Sequence, residues 1–152
     1  MTALEKMRHF VEGYPDADSF RDYKVDYTDQ IPSNGGIFPS GLVEIQRKAD
    51  ILGNVTVTNQ YNFGLYCVFA KPPDDDVTAT INADWVMGFQ EWVQEQSATG
   101  QAPVFGDTPH LERIMAQNGV MYDADGEGTA VYNVQISVQF IKKFEVKNPW
   151  IL

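Results

Sequence analysis

The stretch Tyr132–Phe140 reads YNVQISVQF. Tyr132, Val134, Ile136, Val138 and Phe140 alternate strictly with Asn133, Gln135, Ser137 and Gln139. A period of two puts the apolar set on one face of a strand and the amides on the other. That pattern belongs to an antiparallel sheet with one packed face and one wet face. The strand is expected to run on to about Val146, with Val134, Ile136, Val138 and Phe140 in the core.

The neighbouring segments fill in the rest of an α+β domain. Thr2-Ala3-Leu4-Glu5 fits a capping box, with the hydroxyl at the N-cap and the carboxylate three residues on. Leu4, Met7, Val11 and Tyr14 follow at helical spacing, which predicts a first helix over about 3–13, ended by Gly13 and Pro15. A short strand is expected near Tyr23–Tyr27. The stretch Gln30–Gly41, with two prolines and three glycines, reads as a long loop. Val43, Ile45, Ala49 and Ile51 alternate with polar residues as in a half-buried strand. Gly53-Asn54 reads as a two-residue hairpin turn before a long return strand, Val55–Ala70, in which Gly64 marks a bulge or bend. Lys71–Asp76 and Asp123–Gly128 read as turns. Asn82 reads as the cap of a second helix, with Trp85, Phe89, Trp92, Val93 and Gln96 on one face and Gln90, Glu91, Gln94 and Glu95 on the other. Gly88 weakens that helix by about 1 kcal/mol and is tolerable where something packs closely over it. The helix region ends at Gly100 and Pro103, and a loop anchored by Phe105 leads to a strand over about Ile114–Tyr122. The order is α-β-β-β-α-β-β: a mainly antiparallel sheet with two helices on one face and with Trp85, Phe89 and Trp92 in the core. Residues 1–147 form one domain, and 148–152 form an apolar tail.

The charge limits what such a domain does. The formal net charge is −10, and residues 77–110 hold four acids (Asp84, Glu91, Glu95, Asp107) without one Lys or Arg. A nucleic-acid binder needs cations to displace counterions, so specific DNA binding is not expected. An acidic wall beside passing DNA is compatible, because it repels the polyanion. No apolar run reaches the length of a membrane span and the start lacks a secretory pattern, so a soluble intracellular product is expected.

Candidate chemistry is sparse. The single cysteine, Cys67, sits in an apolar run and reads as a buried small hydrophobe. His9 and His110 have no nucleophile motif beside them. Asp74-Asp75-Asp76 and the alternating Asp123, Asp125 and Glu127 read as solvated turns rather than cation sites, since a calcium loop needs a distal Glu and flanking helices. There is no glycine-rich phosphate cradle. No enzyme, cofactor or metal is expected. The tail Asn148–Leu152 (NPWIL) ends in Trp150, Ile151 and Leu152, which must either fold back on the core or dock on a neighbouring subunit.

Four stretches taken in order resemble a known family. They are Asp50–Asn54 before a long strand, the helix WVMGFQEWVQEQS (Trp85–Ser97), APVFGD (Ala102–Asp107) and GTAVYNVQISVQFIKKFEV (Gly128–Val146). Together with the element order they resemble the minor capsid or tail-terminator proteins of long-tailed bacteriophages, over roughly residues 3–147; the tail 148–152 has no counterpart. The resemblance implies a structural virion protein of the tail or neck, assembled in the host cytoplasm. It implies a homo-oligomeric ring, commonly a hexamer, on the head-proximal end of the tail tube. Such a ring stops tube polymerisation and gives the head–tail joining surface. The partners implied are the tail tube protein and the head-completion or connector proteins, with DNA passing through the centre. Phage-tail-like bacteriocins use an equivalent cap.

A ring needs two different patches per subunit. Glu91 and Glu95 on the second helix are candidates for one, lining the lumen or meeting a basic patch such as Lys142-Lys143; Trp150, Ile151 and Leu152 are candidates for another contact. Two alternatives stand beside this reading. One is a head-completion or connector protein. The other is a small-ligand-binding or enzymatic α+β domain with a pocket between the second helix and the sheet.

Overall fold

The computed structural model describes residues 1–15, 22–25, 34–70, 76–124 and 129–147. The described elements are α1 (Ala3–Glu12), β1 (Asp22–Val25), β2 (Asn34–Ala49), β3 (Val55–Ala70), α2 (Asp76–Ala98), β4 (Arg113–Ala124) and β5 (Thr129–Phe144), with a 3₁₀ turn at Pro109–Leu111. The class is α+β and the order is the expected one. The strands lie side by side as β1-β2-β3-β5-β4, and every pairing is antiparallel except β1 with β2.

The alternation in β5 does what its period requires. Ala130, Tyr132, Val134, Ile136, Val138 and Phe140 are buried, as are their partners across β3, Phe63, Leu65, Cys67 and Phe69. Ile114 of β4 and Ile37 of β2 extend the same apolar face. Both helices close over it. The α1 capping box is present, with the Glu5 N–H donating to Thr2 Oγ1 and the Thr2 N–H to Glu5 Oε2, each at 3.2 Å. Met7, Phe10 and Val11 face inward from α1, and Trp85, Val86, Phe89 and Val93 from α2. The two helices meet through rings. Phe10 stacks on Trp92 at 4.8 Å, while Tyr14 stands edge-on to Trp85 and Phe89 at 5.1 and 5.4 Å. Such pairs add about 0.5–1.5 kcal/mol each beyond their burial. The close approach demanded at Gly88 is Tyr14, whose hydroxyl would stand 2.8 Å from an added Cβ.

Several expectations are corrected. Gln30–Gly41 is not a loop throughout: β2 begins at Asn34, because residues 34–37 pair with β1 and 35–39 with β3 (residues 30–33 lie outside the described ones). The glycines there mark close packing, since Gly35 and Gly36 are themselves buried. The Val43–Ile51 segment is a strand only to Ala49, and it is exposed rather than half-buried. Gly64 makes no bulge; it stays in register with Phe38 and Gln135, and the shifts lie in β2, at Pro39/Gly41 and Glu44/Gln46. The two-residue turn is wider, closing between Asp50 and Asn54. Asn82 is no cap: α2 starts at Asp76 and Asn82 is buried within it. Asp123 belongs to β4 rather than to a turn. Residues 71–75, 125–128 and the tail 148–152, with Trp150, Ile151 and Leu152, lie outside the described residues.

Candidate functional site

The sheet is covered unevenly. β2 forms an edge of it beyond Ile37, where pairing with β1 stops. From Gly41 to Leu52 every residue is exposed. Gly41–Ala49 alone extends roughly 30 Å at strand rise. This β2 margin carries Leu42, Val43, Ile45, Ile51 and Leu52, with Ile51 99% exposed. Single exposed aliphatics are ordinary, whereas here five lie together within one edge and its turn.

The tip is built rather than loose. The Asp50 carboxylate accepts the N–H groups of Leu52 and Asn54, both at 2.9 Å. The Asp50 N–H donates to the Asn54 carbonyl, and Gly53 takes a φ of +85°, which a side chain would oppose. Asn54 Oδ1 in turn accepts the Val146 N–H, which ties the tip to the end of β5. Ile51 and Leu52 are thus held out on a fixed turn.

The anticipated basic pair separates. Lys142 and Lys143 are consecutive in β5, so they point to opposite faces. Lys142 lies 3.8 Å from Asp107, and the Lys143 N–H donates to the other Asp107 oxygen at 2.8 Å. The Lys143 ammonium faces away from that pair. It lies in register with Thr56, which pairs with Lys48, so the two lysines share one face of the margin. Arg47 is bound to Glu44 at 2.7 Å and adds little net charge.

The other predicted residues stand on α2. Trp85 and Phe89 are buried, and Trp92 packs at the core's edge. Glu91 and Glu95 are exposed on the opposite side. They belong to a longer stripe, Val77, Ile81, Asp84, Met87, Glu91 and Glu95, at three- and four-residue steps, all exposed. Glu91 and Glu95 repel each other by about 0.2–0.5 kcal/mol at this spacing, and the helix has no cation of its own to offset it. Lys142-Lys143 and Glu91/Glu95 are not brought together within the chain.

The wet face of the sheet is an amide surface. Gln139 donates to Gln60 at 3.0 Å, and Gln60 to Asn62 at 2.7 Å. Asn118, at a positive φ of 57°, donates to Gln135. A cavity of about 470 Å³ over this face is lined by Gln60, Asn62, Asn133 and Gln135 with Phe38 and Tyr66, and by no carboxylate, imidazole, ammonium or thiol. His9 and His110 are exposed on α1 and in the 3₁₀ turn. Burial pushes the Cys67 thiol far up, so it stays protonated and inert. No group of metal-ligating side chains converges among the described residues. The loop after α2 is fastened by residues that carried no sequence signal: Glu112 accepts the Phe105 and Gly106 N–H groups, and the Lys6 ammonium donates to the Val104 carbonyl and lies over the Phe105 ring. No described helix is long and apolar enough to cross a membrane. No protein-family model matches the chain, and no curated protein matches it.

Proposed function

We propose that the chain is a structural virion protein, a tail terminator. It forms a homo-oligomeric ring that caps the head-proximal end of a tail tube, stops its growth and offers the surface for head–tail joining. The observation that carries this reading is the β2 margin: an ordered edge that, with its tip, bears five bare aliphatics. Such a surface calls for a macromolecular partner rather than a small substrate. The net charge of −10 suits a conduit that lets DNA pass without holding it. The amide-lined cavity has no acid–base pair or nucleophile, so it adds no support for catalysis.

The test is to add the purified protein to tail tubes and to polymerising tube protein. Tube lengths and tube ends are then read by negative-stain microscopy. Capped ends and arrested growth are expected. Tubes that grow to the same length with bare ends would overturn the proposal.

A further inference from the structure

Among the described residues two exposed surfaces carry apolar and charged side chains that complement each other. The first is the β2 margin with its tip. Val43, Ile51 and Leu52 supply the apolar part, and Lys48 and Lys143 the charge. Neither lysine has an ion-pair partner among the described residues. The second is the outer stripe of α2. Val77, Ile81 and Met87 are its apolar part, and Asp84, Glu91 and Glu95 its charge. Again no ion pair is made among the described residues.

The two cannot meet within one chain. The stripe lies on the side of α2 opposite Trp85, Phe89 and Val93, so it faces away from the sheet. The margin is the continuation of that sheet at its β2 edge, while the flank of α2 lies against β4 at the far edge, where Gln90 donates to the Ala116 carbonyl. An intramolecular contact would have to pass through the domain.

We infer that the margin of one copy seats on the outer face of α2 in the next copy, with Ile51 and Leu52 against Ile81 and Met87, and Lys48 and Lys143 against Glu91 and Glu95. The contact is heterologous, so repetition closes a ring if the rotation allows and otherwise builds a filament. It deepens the ring reading, on which it rests for the second copy. It also replaces Lys142 with Lys48 as the partner lysine, because Lys142 is taken by Asp107. Bringing cations to a helix with two repelling glutamates relieves that repulsion, so association strengthens the subunit that receives the margin.

The experiment uses the full chain in two parts. Light scattering across a concentration series compares wild type with Lys48→Glu/Lys143→Glu, with Glu91→Lys/Glu95→Lys, and with the four-fold charge swap. Each double reversal is expected to weaken association by about tenfold or more, and the swap to restore it to within about threefold. In parallel, a benzophenone is attached at Leu52→Cys, the native Cys67 being buried and unreactive, and crosslinked peptides are mapped with and without tail tubes. Links from Leu52 to the 77–95 segment of another copy are expected. Links from one margin to another, or a charge swap that restores nothing, would overturn the inference and leave tube capping untouched. Margin-to-helix links without any capping of tubes would keep the contact and overturn the terminator reading. A chain that stays monomeric and unlinked under every condition overturns both.

Discussion

Gly88→Ala should destabilise the protein, against the direction that helix propensity sets. Alanine in a helix interior is favoured over glycine by about 1 kcal/mol. At this position, however, the added Cβ would stand 2.8 Å from the Tyr14 hydroxyl, where ordinary contact begins at 3.4 Å. Tyr14 has little room to yield. It is buried, with Trp85, Phe89 and Trp92 centred 5.1 to 5.4 Å from its ring, and its hydroxyl donates to the Trp85 carbonyl at 3.4 Å. Overpacking of this kind costs about 1–3 kcal/mol, so the net loss is about 1 kcal/mol. Tyr14→Phe removes the obstructing oxygen and costs about 0.5 kcal/mol, since the hydrogen bond it deletes is long. In that background the alanine should become stabilising by about 0.5–1 kcal/mol. The coupling between the two changes is then about 1.5–2 kcal/mol, with a change of sign. Urea unfolding of the four proteins, followed by far-UV circular dichroism, measures it at constant m-value. If Gly88→Ala shifts stability in the same direction in both backgrounds, α1 does not pack over Gly88 as described, and the ring cluster joining the helices is misplaced.

Other perturbations separate the core from the margin. Phe89→Ala should cost about 3–5 kcal/mol in the same assay, because the ring is fully buried between the helices and the sheet. Ile51→Ser/Leu52→Ser should leave stability within about 0.5 kcal/mol, yet abolish self-association in light scattering; an unfolded product would refute the placement of these residues in solvent. The Cys67 thiol should resist a disulfide reagent until the chain unfolds. Its folded value is raised above the ordinary 9.0, so above that pH the unfolded chain holds fewer protons than the native one. Its contribution to stability is whole below pH 9.0 and falls by about 1.4 kcal/mol per unit above it. Cys67→Ala should flatten that slope in chemical unfolding at pH 9 to 10.

Local signals in the chain read true where the physics is local. The Thr2/Glu5 box, the alternation through β5 and the demand for a close neighbour at Gly88 are each set by groups a few residues apart or by one missing Cβ. The start of α2 was hidden because Thr78 and Thr80 are weak helix formers and Asn82 looks like a cap; burial of Asn82 inside the helix is a tertiary outcome. The start of β2 was hidden because Gly35, Gly36 and Pro39 break any period, and only pairing with β1 and β3 makes them strand. Along Val43–Ala49 the alternation is real, but no local feature tells that the helices stop short of it. The opposite faces of Lys142 and Lys143 follow from a period of two; that one is engaged does not, since Asp107 comes from a loop distant in the chain.

A protein proposed to end a polymer must bind without offering a further growing edge, and the β2 margin has the marks of that compromise. A long flat strand with free backbone groups would pair edge to edge and propagate. Here the edge is broken twice, by register shifts at Pro39/Gly41 and Glu44/Gln46. Pro39 has no N–H to donate, and Gly41 turns at a φ of +90°. Glu44 and Arg47 bind each other across the second shift, so a strand approaching there would meet charge before backbone. The aliphatic side chains nevertheless stay exposed on the margin and at its tip. Backbone pairing is therefore discouraged while side-chain contact is invited. Margin-to-helix contact, like strand addition, leaves a free surface at each end of an open row, so it gives a finite ring only through the rotation that closes it. Blocking flat strand addition removes the competing open-ended route. It also predicts the failure mode: Pro39→Val with Arg47→Val, which smooths and neutralises the edge, should convert discrete assemblies into open-ended fibres visible by negative stain. Discrete assemblies that persist in this variant would mean that something other than the edge limits growth.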